Sequence, residues 1–361
     1  MHLSYKNQHK QKNHIFFAKR EDKTPNAEPT AAKAQTTPLP IQEDPATTLN
    51  ATATNDTVHN LMRRNPDRLP GNEVIRPTAV TVLPDLHGDY ESFIEALRDH
   101  NLLDAAENWA GNDTALVLLG DIFDREQGAF KIMAKIKDLQ TQGANITILS
   151  GNHEDLMLTA LLTRIPFAKE RWLQYGGIDT LKSVGITDFD TKKFLEQNRE
   201  QLKALGKTKL LEQIDDVLYM HAEPSDQAID LIEKYGIDEI NNQWQQAVKQ
   251  AFDGDSSSYF TTSFEFHPLM YSRAVSDPGF QTMMGTFSLD KPERLNTVLK
   301  NMGVNMIVHG HDPQKGSIKS YKIGEIEVVN IDNAISRGMQ HAPPNSRGLT
   351  ITKTGERKVK L

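Results

Sequence analysis

A threefold recurrence constrains this chain more than any other feature: a short apolar, β-branched run breaks at a turn residue and is followed at once by a cluster of acidic, histidine or amide side chains. Thr78-Ala79-Val80-Thr81-Val82-Leu83 gives way at Pro84 to Asp85-Leu86-His87-Gly88-Asp89. Ala115-Leu116-Val117-Leu118-Leu119 stops at Gly120 and leads into Asp121-Ile122-Phe123-Asp124-Arg125. Asn145-Ile146-Thr147-Ile148-Leu149 leads into Gly151-Asn152-His153-Glu154. Runs of this length and composition read as buried strands. Amphipathic spacing predicts helices over 90–103, 129–140 and 154–162. Such alternation predicts an α/β chain with helices packed on sheets. In that class the loops at the carboxyl ends of the strands converge and build the site, and here the chemically active residues fall in those loops.

The second half is less regular, with helices predicted over 192–205, 227–234 and 240–252 and strands over 217–220, 306–308 and 327–331. Two of these strands also end on histidine: His221 after the first, His309-Gly310-His311 after the second. Aspartate oxygen and imidazole nitrogen together suit ions such as manganese, iron or zinc, and a carboxylate can bridge two ions about 3.5–4 Å apart. The chain has 0 Cys, so thiolate ligands, cysteine nucleophiles and disulfides are excluded. Glycines beside Asp121, Asn152 and His311 allow sharp turns and a close approach to phosphate.

These motifs closely resemble those of the PPP-type serine/threonine phosphatases within the calcineurin-like metallophosphoesterases. Trp172 to Gly177 with Thr180-Leu181, 268–273, Gly310-His311-Asp312-Pro313 and Ile331-Asp332 extend the likeness, and 87–124 is most similar to the Shewanella-like branch. The resemblance implies a β-sandwich of two mixed sheets flanked by helices, over 74–361. It implies two divalent ions, manganese first, with iron or zinc as alternatives. Asp85 and His87 would hold the first ion, Asp121 would bridge both, and Asn152, His221 and His311 would complete the second. Arg125 and Arg273 would clamp the phosphoryl oxygens, His153 would protonate the leaving group, and Asp124 would orient His153. The implied reaction is in-line attack on a phosphoserine or phosphothreonine monoester by metal-bound hydroxide, without a phosphoenzyme; the substrate would be a phosphoprotein or phosphopeptide.

Some positions depart from the family pattern. Pro84 and Glu126 stand where glycine is usual, and Ala222-Glu223-Pro224 replaces glycines after His221. These changes touch loops around the phosphate and none of the ligands; Glu126 and Glu223 are expected to make those loops more acidic. Glu154 is expected to bond backbone or a ligand histidine. Trp172 is expected to pack in the core rather than stack on substrate, His100, His267 and His341 to be structural or solvated, and His309 to be either a support for a ligand or a plain buried or surface histidine. Three other readings use the same motifs: a phosphotyrosine phosphatase, a dinucleoside tetraphosphate hydrolase, against which His87 counts, and an inactive scaffold that binds phosphoproteins.

Composition bears on partners and place. With 41 Lys and Arg against 48 Asp and Glu, the net charge of −7 argues against a general affinity for nucleic acid. No stretch reaches the roughly 20 apolar residues of a membrane span. Residues 1–73 begin basic, lack the apolar core of a secretory signal and continue rich in Thr, Ala, Pro and Gln; they are expected to form a disordered polar tail. That leader suits a cytoplasmic enzyme, and equally an effector delivered into a host cell by a dedicated secretion system.

Overall fold

The apolar runs form strands in the expected order. The computed structural model describes residues 76–279, 281–282, 285–314, 317–336, 347–353 and 357–359; the tail expected over 1–73, and His341, lie outside them. Strand β1 (Ala79–Leu83), helix α1 (Tyr90–Asp99), β2 (Thr114–Leu118), α2 (Ala129–Thr141), β3 (Asn145–Ile148) and α3 (Asn152–Leu162) make the first half. The three strands pair in parallel, Val80 opposite Ala115 and Leu116 opposite Ile146, as helical crossovers require. Then come the short helices α4 (Ala168–Trp172) and α5 (Ile178–Lys182), α6 (Thr191–Leu202), the hairpin β4 (Leu211–Ile214) and β5 (Val217–Met220), α7 (Asp226–Tyr235), α8 (Ile237–Phe252), α9 (Ser256–Phe266) and α10 (Pro268–Tyr271). A two-residue pair, β6 (Gln281–Thr282) and β7 (Gly285–Thr286), precedes α11 (Pro292–Asn301), β8 (Met306–His309), β9 (Lys319–Ile323), β10 (Ile326–Asn330), β11 (Leu349–Thr352) and β12 (Arg357–Val359).

Two mixed five-stranded sheets result, ordered β12-β11-β1-β2-β3 and β4-β5-β8-β10-β9. Strands β5, β8 and β10 run parallel, with β4 and β9 antiparallel at the edges. The sheets face each other through one side-chain set: Val80, Val82, Ala115, Val117 and Leu119 from the first meet Val217, Tyr219, Met306, Val308, Val329 and Ile331 from the second. The alternate residues Leu116, Leu118, Leu218, Ile307 and Val328 belong to the core under the helices. The inner strands β1, β2, β5 and β8 are therefore buried on both faces, which explains why they read as continuous apolar runs. Each such Val or Leu contributes about 1.5–3 kcal/mol on burial. The fold is the α/β sandwich of two mixed, helix-flanked sheets expected from sequence.

The differences are local. The helix expected to run to 103 stops at Asp99, because the amides of His100 and Leu102 bond back to Ala96 and Leu97 while Asn101 takes a left-handed φ of 56°. The helix expected from 154 begins at Asn152, so Asn152 and His153 occupy its first turn. Among the described residues no helix is long and apolar enough to cross a membrane.

The sheets bring the loops after β2 and β3 into backbone contact. Gly120 has φ +103°, and a Cβ there would lie 2.5 Å from the amide nitrogen and 2.9 Å from the Cα of Gly151. Backbone cannot step aside as a side chain can. Gly120→Ala is expected to lose about 2 kcal/mol or more, read from the urea midpoint, whereas Gly206→Ala, with 3.8 Å to its nearest neighbour, stays within about 1 kcal/mol. Equal midpoints for the two variants would contradict this packing.

Candidate metal centre

Five strand ends deliver the ligand types to one place. Asp85 follows β1, Asp121 follows β2, Asn152 opens α3 after β3, His221 follows β5 and His311 follows β8. All are buried, Asp121 to 1% exposure. His87, Asp121 and His153 offer ligand atoms within 4.8 Å of one another, as do Asp121, His221 and His311, so Asp121 is common to two trios. The backbone adopts uncommon conformations to achieve this: His87, Asp121, Asp124, Arg125 and His311 have φ of 45°, 50°, 73°, 68° and 68°. Left-handed φ disfavours residues with a Cβ by roughly 1–2 kcal/mol each, so five together persist only where surrounding contacts dictate them.

Those contacts are explicit. Glu154 caps its own helix by accepting from the Gly151 amide at 2.8 Å, and also accepts from the amides of Asp121 and Ile122 at 2.8 Å and of Phe123 at 3.3 Å. One buried carboxylate thus ties the loop after β2 to the loop after β3, the backbone-bonding role expected for it. Burial first, then the charge of Asp121, pushes its carboxyl up to about 7, against the pull of these amides. The loops touch so closely that a Cβ on Gly151 would sit 2.2 Å from Asp121 Oδ1.

The imidazoles are presented in the form that binds cations. His221 donates from Nδ1 to the Leu119 carbonyl at 2.8 Å, which turns Nε2 toward Asp121 Oδ1 at 3.5 Å and Asn152 Oδ1 at 3.1 Å. Burial lowers its pKa despite Asp121, and with Nδ1 donating, Nε2 is the ring nitrogen turned to the centre. His311 Nε2 is buried without a hydrogen-bond partner, and burial, then His221 and Arg273, hold its pKa well down. His87 donates from Nδ1 to the Phe123 carbonyl at 3.3 Å and points Nε2 to Asp121 Oδ2 at 3.8 Å; burial, then His153 and Arg125, depress it likewise. A backbone carbonyl accepting from Nδ1, as at His87 and His221, leaves Nε2 aimed at Asp121, the arrangement that prepares histidine for a metal.

Acid groups crowd the same volume. Burial would raise Asp121, but His221, His153, His87 and His311 outweigh it and lower its pKa. Asp85 is pushed well up by burial, then by Asp332 and Asp121; burial above all pushes Asp332 up to about 7, and its Oδ2 has no partner. Oxygen and nitrogen donors converging with excess negative charge fit divalent cations, whose charge would relieve that repulsion. Asp85 lies at the same cleft but in neither trio; its Oδ1 accepts from the His311 amide at 3.1 Å.

The groups expected to handle phosphate stand beside this centre. His153 donates from Nδ1 to Asp124 Oδ2 at 2.9 Å. Asp124 is fixed in turn on Oδ1 by the Trp172 indole N–H at 2.9 Å and the Thr180 hydroxyl at 2.8 Å. Burial lowers the His153 pKa, but Asp121 and the Asp124 bond reverse this and leave it raised. The Arg125 guanidinium lies 2.9 Å from His87 Nε2 and 3.1 Å from His153 Nε2. Arg273 donates to Asp312 at 2.9 Å and to the His311 carbonyl at 3.0 Å. Both arginines line one cleft with Asp85, Asp121, Asn152 and His311.

Several supports were not legible beforehand. Trp172 is in the core as expected, yet its N–H also holds Asp124. Tyr271 bonds the Asn152 carbonyl at 3.2 Å and Asp155 at 2.9 Å, positioning Asn152 from behind. Glu223, expected to acidify the loop near the phosphate, is instead buried and accepts from the amides of Val275 and Ser276 at 2.8 and 2.9 Å, securing the segment that follows Arg273. His309 is buried in β8, and His100 bonds Thr350 at 2.7 Å as a structural histidine.

Comparison with known proteins agrees with this architecture. Residues 78–315 match the calcineurin-like phosphoesterase family. A segment of 83 residues is 34% identical to Shewanella-like protein phosphatase 2 of Arabidopsis thaliana, covering 22% of this chain and 21% of that one. Shewanella-like protein phosphatase 1 of Plasmodium berghei is 32% identical over 83 residues, covering 22% and 23%. The matched segment thus spans only about a fifth of these curated relatives. A solved cold-active protein tyrosine phosphatase shares the fold, with a TM-score of 0.51, 23% identity and 78% of each chain covered. With the family matched over more than half of the chain and through every strand end that carries a ligand type, the chain belongs to the calcineurin-like phosphoesterases.

Proposed function

We propose that this protein is a metal-dependent protein phosphatase that hydrolyses phosphoserine and phosphothreonine monoesters. The observation that carries the reading is the convergence on Asp121 of imidazole lone pairs and side-chain oxygens, beneath two arginines that line the same cleft. Asp85 and His87 would hold one ion, Asn152, His221 and His311 a second, and Asp121 both, with manganese the first candidate. Such ions supply activation of water and neutralisation of phosphoryl charge when bound. The names of the two Shewanella-like relatives support a protein substrate.

The remaining residues act around the phosphate. Arg125 and Arg273 present planar forks of donors that match phosphoryl oxygens. As water adds to phosphorus and the bond to the leaving oxygen breaks, His153 transfers its Nε2 proton to that oxygen. Asp124 keeps the ring oriented through Nδ1 and stabilises its charged form.

Manganese-loaded full-length protein should hydrolyse p-nitrophenyl phosphate and phosphoserine peptides. Asp121→Asn should reduce both kcat/KM and bound manganese, the former by roughly a thousand-fold or more. Undiminished turnover in that variant would refute the assignment, and a phosphotyrosine peptide or diadenosine tetraphosphate cleaved in preference would redirect the substrate.

The pH profile tests His153. An acid must be protonated, so activity falls on the alkaline side as pH passes its pKa, which Asp124 helps to raise. Asp124→Asn should therefore move the alkaline limb to lower pH, and an unmoved limb would assign that limb elsewhere. Trp172→Phe keeps most of the packing but removes the N–H to Asp124; it should lower kcat by about 10–100-fold with KM little changed, whereas a change confined to KM would remove Trp172 from the positioning of His153.

A further inference from the structure

The cleft over Asp121 holds a third arginine that phosphoryl chemistry leaves without a task. Arg171, in α4, lines it together with Arg125 and Arg273. Arg125 is engaged with His87 and His153, and Arg273 with Asp312 and the His311 carbonyl. Among the described residues no carboxylate forms an ion pair with Arg171, and its Nε is buried without a hydrogen-bond partner. Asp155 feels its charge, but the oxygens of Asp155 are already held by the hydroxyls of Tyr259, Ser263 and Tyr271 at 2.6–2.9 Å.

What Arg171 does face is an aromatic ring. Its guanidinium carbon lies 5.8 Å from the centroid of Tyr175, which is 46% exposed and lines the same cleft. A cation–π contact with tyrosine holds a guanidinium without using its donors. The segment is also fixed relative to the phosphate clamp: the next residue, Trp172, bonds Asp124, and the Gly176 carbonyl accepts from the Arg125 amide at 3.2 Å. Arg171 and Tyr175 therefore keep a set relation to the place where phosphate would bind. A cation with unused donors, in cation–π contact with a partly exposed ring that lines the cleft, is suited to an anion arriving on the same molecule as the phosphate.

We propose that Arg171 and Tyr175 form a subsite for a second anionic group of the substrate, the carboxylate of an Asp or Glu adjacent to the phosphorylated residue of a peptide. This rests on the phosphatase reading and narrows its substrate class. The phosphoryl oxygens already have Arg125, Arg273 and Asn152 at hand, which leaves Arg171 for a neighbouring charge, and Tyr175 offers a surface for the peptide beside it.

The test compares kcat/KM for two phosphoserine peptides that differ only in Glu or Gln next to the phosphoserine, using manganese-loaded full-length protein. Wild type should prefer the Glu peptide by roughly ten-fold. Arg171→Gln should bring the ratio near one, and Arg171→Glu should favour a Lys peptide over the Glu peptide. The wild-type ratio decides by itself if either variant fails to fold. Equal turnover of both peptides by wild type, or a preference unchanged in Arg171→Gln, overturns the subsite while the phosphatase reading stands. Turnover of neither peptide overturns both. Efficient cleavage of diadenosine tetraphosphate with selective loss in Arg171→Gln overturns the peptide assignment in favour of a polyphosphate.

Discussion

The buried carboxylate of Asp121 is the point on which the site depends. It is 1% exposed and ringed by His87, His153, His221 and His311, whose nearness lowers its pKa against the effect of burial. A charge so placed requires partners from several directions, which no single loop provides. The sandwich provides them: β1, β2 and β3 approach from one sheet, β5 and β8 from the other, and all end at the same edge. The left-handed φ of His87, Asp121 and His311 is the local consequence, since these loops must turn sharply to aim their side chains at one centre.

Around Asp121 stands a frame that does no chemistry itself. Glu154 ties the loops after β2 and β3 through four backbone amides. Trp172 and Thr180 fix Asp124, which fixes His153. Tyr271, bonded to Asp155, supports Asn152, and Glu223 holds the backbone that follows Arg273. Each support bonds a group that would touch metal or phosphate, the residue that orients one, or backbone beside one, and the precision of the site derives from these contacts.

Much of this was legible because each motif is contiguous and sits where a strand ends. The apolar runs identify β1, β2 and β3, and the residues after them name the ligand types. Other parts resist such a reading for physical reasons. Polar residues interrupt the apolar pattern of β4 (Leu-Glu-Gln-Ile), β9 (Lys-Ser-Tyr-Lys-Ile), β11 (Leu-Thr-Ile-Thr) and β12 (Arg-Lys-Val), so none reads as a continuous apolar run. The bond from Trp172 to Asp124 joins residues 48 apart, so sequence could place Trp172 in a core but could not name its acceptor. Glu223 was legible only as added acidity in its loop, because the backbone amides of Val275 and Ser276 that its carboxylate accepts from are some fifty residues away in sequence. Glu154 was read correctly, since an acid at the third position of a helix commonly bonds the amide at the helix start.

If Asp121 bridges two ions, the bridge should appear in their magnetic coupling. Electron paramagnetic resonance of the manganese-loaded full-length protein is the most direct measurement. The expected result is an exchange-coupled dinuclear spectrum that Asp121→Asn converts to isolated or weakly bound manganese. A spectrum of magnetically isolated ions in the wild type, under saturating manganese, would contradict a shared centre at Asp121.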